Sequence, residues 1–174
     1  MSKLSRASRR RWRGAVLVLL ALAAGVGPAA AASGTAFRVE AAEFIVSVGD
    51  AEGNERRIAS TLVPYLPDQA CFGWRIRLGD APGVVRVREV LKLPAAPAIW
   101  SGEDDPYSPH TFTADRTTAI TEEYQAPEDG WIESQWCIAD GDPVGAHAID
   151  VFVDDRLVRH FDFEVKLPGH TIGD

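Results

Sequence analysis

The stretch Ile149-Asp150-Val151-Phe152-Val153-Asp154-Asp155-Arg156-Leu157-Val158-Arg159-His160-Phe161-Asp162-Phe163-Glu164-Val165 alternates apolar and polar residues on both sides of an acidic pair. A period of two is the signature of strands with one buried face, and two such runs across a short polar break predict a hairpin. A two-residue turn at Asp154-Asp155 sets Val153 against Arg156 and Ile149 against His160. A three-residue turn, Asp154-Asp155-Arg156, pairs Val153 with Leu157 and Ile149 with Phe161. The second, with a bulge, is favoured because it keeps Ile149, Val151, Val153, Leu157, Phe161, Phe163 and Val165 on one face. It asks for an Asp or Arg near a left-handed conformation, which Asp tolerates better than most residues.

Working back from this hairpin, the same period recurs. Phe37 to Val48 alternates with a change of phase that predicts a bulge near Ala42-Glu43, and Gly49 to Asn54 is a turn. Arg56 to Val63 reads as a weaker strand stopped by Pro64. In Ala70 to Leu78 the apolar set is Phe72, Trp74, Ile76 and Leu78. Gly79 to Gly83 then turns into Val84 to Leu93, where Val85, Val87, Leu91 and Leu93 share a face, and this pair is expected to form a second hairpin. Strands resume at Arg116 to Tyr124 and Trp131 to Ile138, and Ala139 to Gly145 is the turn before Ala146 to Val153. Seven to eight short strands at regular spacing, without helical period, predict an all-β antiparallel sandwich.

Pro94 to Asp115 differs in kind. It holds Pro94, Pro97, Pro106 and Pro109, the acidic run Glu103-Asp104-Asp105, and the aromatics Trp100 and Tyr107. Long loops inside small domains are uncommon and are often functional. Trp100, Glu103, Asp104, Asp105 and Tyr107 are therefore the candidate binding residues, with the Asp140 to Gly145 turn as a candidate neighbour.

The N-terminus carries an address. Lys3, Arg6, Arg9, Arg10, Arg11 and Arg13 precede an uncharged run from Ala15 to Val26, followed by Pro28 and Ala29-Ala30-Ala31-Ala32. This is the pattern of an export signal cleaved after Ala31 or Ala32, which divides the chain into a signal peptide, 1–32, and one domain, 33–174. Ser8-Arg9-Arg10-Arg11-Trp12 resembles a twin-arginine signal, with Arg13 departing from the pattern. An uncleaved membrane anchor is the alternative, opposed by Gly25, Gly27 and Pro28. The periplasm or the exterior is the expected location, with no membrane insertion after cleavage.

Export changes the charge. The chain has 18 basic and 25 acidic residues; the leader holds six of the basic and none of the acidic ones, leaving 12 against 25 and a net charge of −13. So acidic a protein repels phosphate backbones, and nucleic acid is not an expected partner. Two cysteines, Cys71 and Cys137, sit at opposite parity to the apolar residues of their strands. In an oxidising compartment they are expected to form a cross-strand disulfide contributing about 3 to 4 kcal/mol.

Gly141-Asp142-Pro143-Val144-Gly145, followed by Ile149 to Val158 and Phe161 to Val165, resembles the C-terminal end of a family of uncharacterised exported bacterial proteins with an immunoglobulin-like sandwich. Phe72-Gly73-Trp74 is similar to that family too, and the resemblance is clearest over residues 119–166. It implies an immunoglobulin-like fold and brings no catalytic residues, because the family has no established chemistry. Asp155 stands where such proteins carry Gly.

The sequence lacks G-x-S-x-G, H-E-x-x-H, S-x-x-K, a glycine-rich phosphate loop and C-x-x-C. No catalytic residue, metal-ligand set or cofactor is identified. The four histidines, His110, His147, His160 and His170, are scattered, and the hairpin register puts His147 and His160 on opposite faces. A non-enzymatic module with a protein partner is the expected function. Three alternatives stand beside it. Trp100, Tyr107, Tyr124 and Trp131 are rings near loops on which a sugar stacks. Glu103, Asp104, Asp105 and Asp115 offer oxygens to calcium, without the alternating spacing of a calcium loop. Glu122, Glu123 and Glu133 are carboxylates for a glycosidase-like hydrolase.

Overall fold

The computed structural model describes residues 37–49, 54–81 and 83–169; the expected signal peptide and cleavage site lie outside the described residues. Ten strands follow in order: β1 Arg38–Gly49, β2 Glu55–Ala59, β3 Leu62–Pro64, β4 Ala70–Gly79, β5 Val85–Lys92, β6 His110–Phe112, β7 Thr118–Gln125, β8 Trp131–Cys137, β9 Gly145–Val153 and β10 Arg156–Lys166. They form a two-sheet β-sandwich. One sheet has the order β2-β1-β4-β8 and the other β3-β10-β9-β5-β7-β6. Neighbours are antiparallel except β3, which runs parallel to β10. The count exceeds the expected seven to eight because three-residue strands, β3 and β6, are too short to show a period.

The period-two faces meet between the sheets. Phe72, Trp74, Ile76 and Leu78 of β4 are buried, as are Val85, Val87 and Leu91 of β5 and Ile149, Val151 and Val153 of β9. Phe163 bridges the layers, its ring centroid 4.7 Å from those of both Phe44 and Phe72. Cys71 and Cys137 are directly opposed on β4 and β8 and are bonded, with Cα atoms 3.8 Å apart.

Four local expectations are corrected. β4 and β5 are not a hairpin: β4 pairs with β1 and β8 in one sheet, β5 with β7 and β9 in the other. A turn signal marks where the chain reverses, whereas lateral pairing depends on which strands compete for each edge. The run Arg56 to Val63 splits at Ser60, whose Oγ accepts from Leu62 N at 3.0 Å; β2 pairs with β1, and β3 joins the other sheet. The β1 bulge lies at Val39–Ala41 rather than Ala42-Glu43.

The last hairpin divides the expectation in two. Ile149 does pair with Phe161, but through a two-residue turn: Val153 faces Arg156, and the bulge falls between Leu157 and Arg159. Leu157 is consequently exposed. Asp154 and Asp155 have φ of 47° and 65°, the primed-turn conformation that favours Asn and Gly. Arg86 compensates. Its N–H donates to Asp154 Oδ1 at 3.0 Å, its carbonyl accepts from Asp154 N at 2.9 Å, and its guanidinium pairs with Asp155.

Candidate functional site

The long loop leaves β5 at Leu93 and returns through β6, so that His110–Phe112 forms a strand inside the segment expected to be loop. Its fold is set by Trp100. This residue is 4% exposed, its indole N–H donates to Arg116 O at 3.0 Å, and its ring stacks on Phe112 at 5.2 Å and meets the edge of Trp136 at 5.9 Å. Trp100 is therefore a core residue, unavailable for stacking on a ligand. Glu103 fixes the next turn: both carboxylate oxygens bond the Arg116 guanidinium, and Oε2 also accepts from Trp100 N at 3.3 Å. Engaged in this way, Glu103 holds the loop and does not stand ready as a calcium ligand. Asp105 Oδ1 accepts from Tyr107 N at 2.9 Å. Asp104 is exposed, and Tyr107 is 92% exposed. Of the predicted residues, then, two brace the loop and three face solvent.

The Asp140 to Gly145 turn is the loop's neighbour, as expected. Ala98 N donates to Gly141 O at 3.3 Å and Tyr65 Oη accepts from Gly141 N at 3.0 Å. Gly141 has φ of +86°, and a Cβ there would stand 2.6 Å from Ala98 Cβ, so this crossing requires glycine. Between the two segments lies a cleft of about 60 Å³, walled by Leu91, Leu93, Ile99 and Trp136 and reached by Asp142 and His147. Ile99 is 73% exposed and Val144 is exposed. Burial raises the Asp142 carboxyl above its ordinary range, against the bond it accepts from Ala139 N. Burial lowers the His147 imidazole, which donates Nδ1–H to Gly145 O at 2.9 Å and stacks on Phe163.

Beneath the loop is a residue that sequence reading passed over. Glu89 of β5 is 2% exposed and sits between the sheets. One oxygen accepts from Trp74 Nε1 of β4, the other from Trp136 Nε1 of β8 at 2.5 Å, and Ser134 donates a further bond. Burial raises its carboxyl above the ordinary range, these bonds pull it down, and the charge of Glu123 adds to the rise. Thr121, opposite Glu89 on β7, bonds His110 Nδ1 at 2.8 Å, and the His110 ring lies 4.8 Å from Trp136. Trp136 thus touches Glu89 on one side and Trp100 on the other. The signal was present: Glu89 occupies the apolar parity between Val87 and Leu91.

The remaining candidates stand apart. Glu122 lies opposite Arg88 and is exposed, Glu123 accepts from Gln125 Nε2, and Glu133 is exposed on edge strand β8. Gln125 caps that edge, its amide bonding both Glu133 O and Glu133 N at 3.0 and 3.2 Å. His147 faces the core and His160 faces solvent between Asp150 and Asp162, so the two do lie on opposite faces.

With the sandwich and its loop end established, the relatives can be placed. A family model described as the PM0630 beta sandwich domain matches residues 42–166. The chain belongs to that family. The match spans the described sandwich from β1 to the end of β10. No curated protein matches the chain. Among solved structures, an immunoglobulin-like protein from Pseudomonas aeruginosa is similar at 19% identity and a TM-score of 0.49, covering 75% of this chain and 97% of that one. An alkylpurine DNA glycosylase from Pseudomonas fluorescens, bound to DNA containing an abasic site analog, is similar at 11% identity and a TM-score of 0.36, covering 72% of this chain and 30% of that one. At these scores neither bears on what the chain binds.

Proposed function

We propose that this protein is an exported, non-enzymatic module that holds a protein partner on the loop end of its sandwich. The observation that carries the reading is the contrast within one loop: Trp100 is 4% exposed and Tyr107 92% exposed. Trp100 and the Glu103–Arg116 pair fix the backbone, so that Ile99 and Tyr107 stand exposed on a preformed platform. A large side chain held in solvent on an ordered loop has no core to cover. Such anchors bind with little loss of conformational freedom and are typical of partner hot spots. Export rests on the basic leader and its small-residue cleavage site, and the Cys71–Cys137 bond is of the kind that persists outside the cytoplasm. The non-enzymatic reading rests on Glu89, the buried carboxyl between the sheets, being 2% exposed and bonded to two indoles rather than open to a substrate.

The test is site-specific crosslinking in the exporting cell. A photoreactive side chain at Tyr107 should give one discrete protein adduct, and the same group at Asp129, in the turn at the opposite end of β7, should give none. Equal labelling from both positions, or none from Tyr107, overturns the reading.

A further inference from the structure

We infer that the partner segment seated on the loop end is basic, presenting a lysine or arginine flanked by apolar residues, with its cation against Asp142 and its apolar neighbours on Ile99, Tyr107 and Val144. This deepens the proposed partner site and rests on that reading. The surroundings of the cleft supply the chemistry. Its walls are apolar, and Ile99 and Val144 are exposed at the meeting of the loop with the Ala139 to Gly145 turn. At about 60 Å³ it admits the end of one side chain and no larger ligand.

Charge selects that side chain. Lys92, Arg116 and Lys166 are the cations at the strand ends here, and each is already bonded to an acid, Asp150, Glu103 and Glu164 respectively. Asp104, Asp105, Asp140 and Asp142 form no ion pair with Lys or Arg among the described residues. The imidazole beside Asp142, His147, is kept neutral by burial and does not supply the missing charge. Asp142 is half-buried and lines the cleft, with Oδ2 bonded to Ala139 N, so among the described residues the cleft holds a carboxylate and apolar walls and no Lys or Arg. With a net charge of −13 after cleavage, the whole protein steers the same kind of partner toward it.

Three peptides test this on the exported protein: acetyl-Gly-Leu-Lys-Leu-Gly-amide and its counterparts with glutamine or glutamate in place of lysine. Followed by amide chemical shifts, the lysine peptide should perturb Ile99, Tyr107 and Ala139 and bind about tenfold more tightly than the glutamate peptide. The Asp142→Asn variant, which keeps the acceptor for Ala139 N, should weaken the lysine peptide about fivefold, and raising salt to about 0.5 M should erase most of the preference. The exposed pair Asp104→Asn/Asp140→Asn gives a second measure that does not touch the cleft and should weaken it about twofold. Equal binding of the three peptides, no binding by any, shifts that map elsewhere, or variants that leave affinity unchanged overturn the inference. A discrete adduct from Tyr107 with no lysine preference leaves the partner site standing and removes only its basic ligand; loss of both removes the two together.

Discussion

Glu89 and Glu103 are each held by a tryptophan and by other donors, and they do opposite things. Glu89, 2% exposed, accepts from the indoles of Trp74 and Trp136 and ties β5 of one sheet to β4 and β8 of the other. Glu103, at the surface, closes on Arg116 and on the backbone N–H of Trp100 and ties a loop to its own return. The two regions are joined through aromatic rings, since Trp136 contacts both Glu89 and Trp100. The difference teaches where a carboxylate carries fold and where it carries a surface. In the interior, every alternative to its bonds is an unsatisfied group. At the surface, water replaces any bond that is lost.

The largest expected effect follows from the interior half. Glu89→Ala leaves the indole N–H groups of buried Trp74 and part-buried Trp136 without this acceptor and opens a void, and should cost about 3 to 5 kcal/mol in denaturant unfolding. A cost below about 1 kcal/mol would break the contrast. Glu89→Gln keeps the shape and one acceptor and gives a smaller effect with a sign that depends on pH. The folded carboxyl titrates above its unfolded value of 4.5. The stability it contributes is therefore fully present below that value and is lost as pH rises through the raised one. Wild type should be strongest relative to Glu89→Gln in acid and lose ground toward neutral pH; the opposite slope would mean that the indole bonds outweigh burial. The smallest effect belongs to the surface half. Glu103→Ala should cost only about 0.5 to 1 kcal/mol, while amide exchange at Ser101 to Tyr107 accelerates and the core strands keep their protection. Exchange spreading into β5 or β8 would show that the regions are not separable.

The sandwich was largely legible because its strands repeat a local rule. Phe72 to Leu78 and Ile149 to Val153 alternate in sequence and are buried in that alternation. The disulfide was legible for the same reason, Cys71 and Cys137 having one parity on strands that pair in register. Lateral choices were not legible. Nothing local tells β5 to leave β4 and lie between β7 and β9. At the candidate site the sequence read Trp100 and Tyr107 alike as loop aromatics, whereas Tyr107 is exposed and Trp100 is buried, because a tryptophan among prolines and acids gives no sign that Phe112 and Trp136 will cover it.

By itself the sequence determined most of the inward-facing residues of the long strands, where the chain turns, and an acidic balance of 25 Asp and Glu against 18 Lys and Arg. These follow from periodicity, turn chemistry and charge, which act over a few residues or add over all of them. Only the tertiary structure decided that Glu89 is an acceptor shared by two sheets, that Asp154-Asp155 makes a tight turn because Arg86 stands beside it, and that Trp100 holds up a loop whose exposed face is Ile99 and Tyr107. Each depends on partners far away in sequence, and the free energy of a buried bond or ring contact exists only once those partners have been brought together.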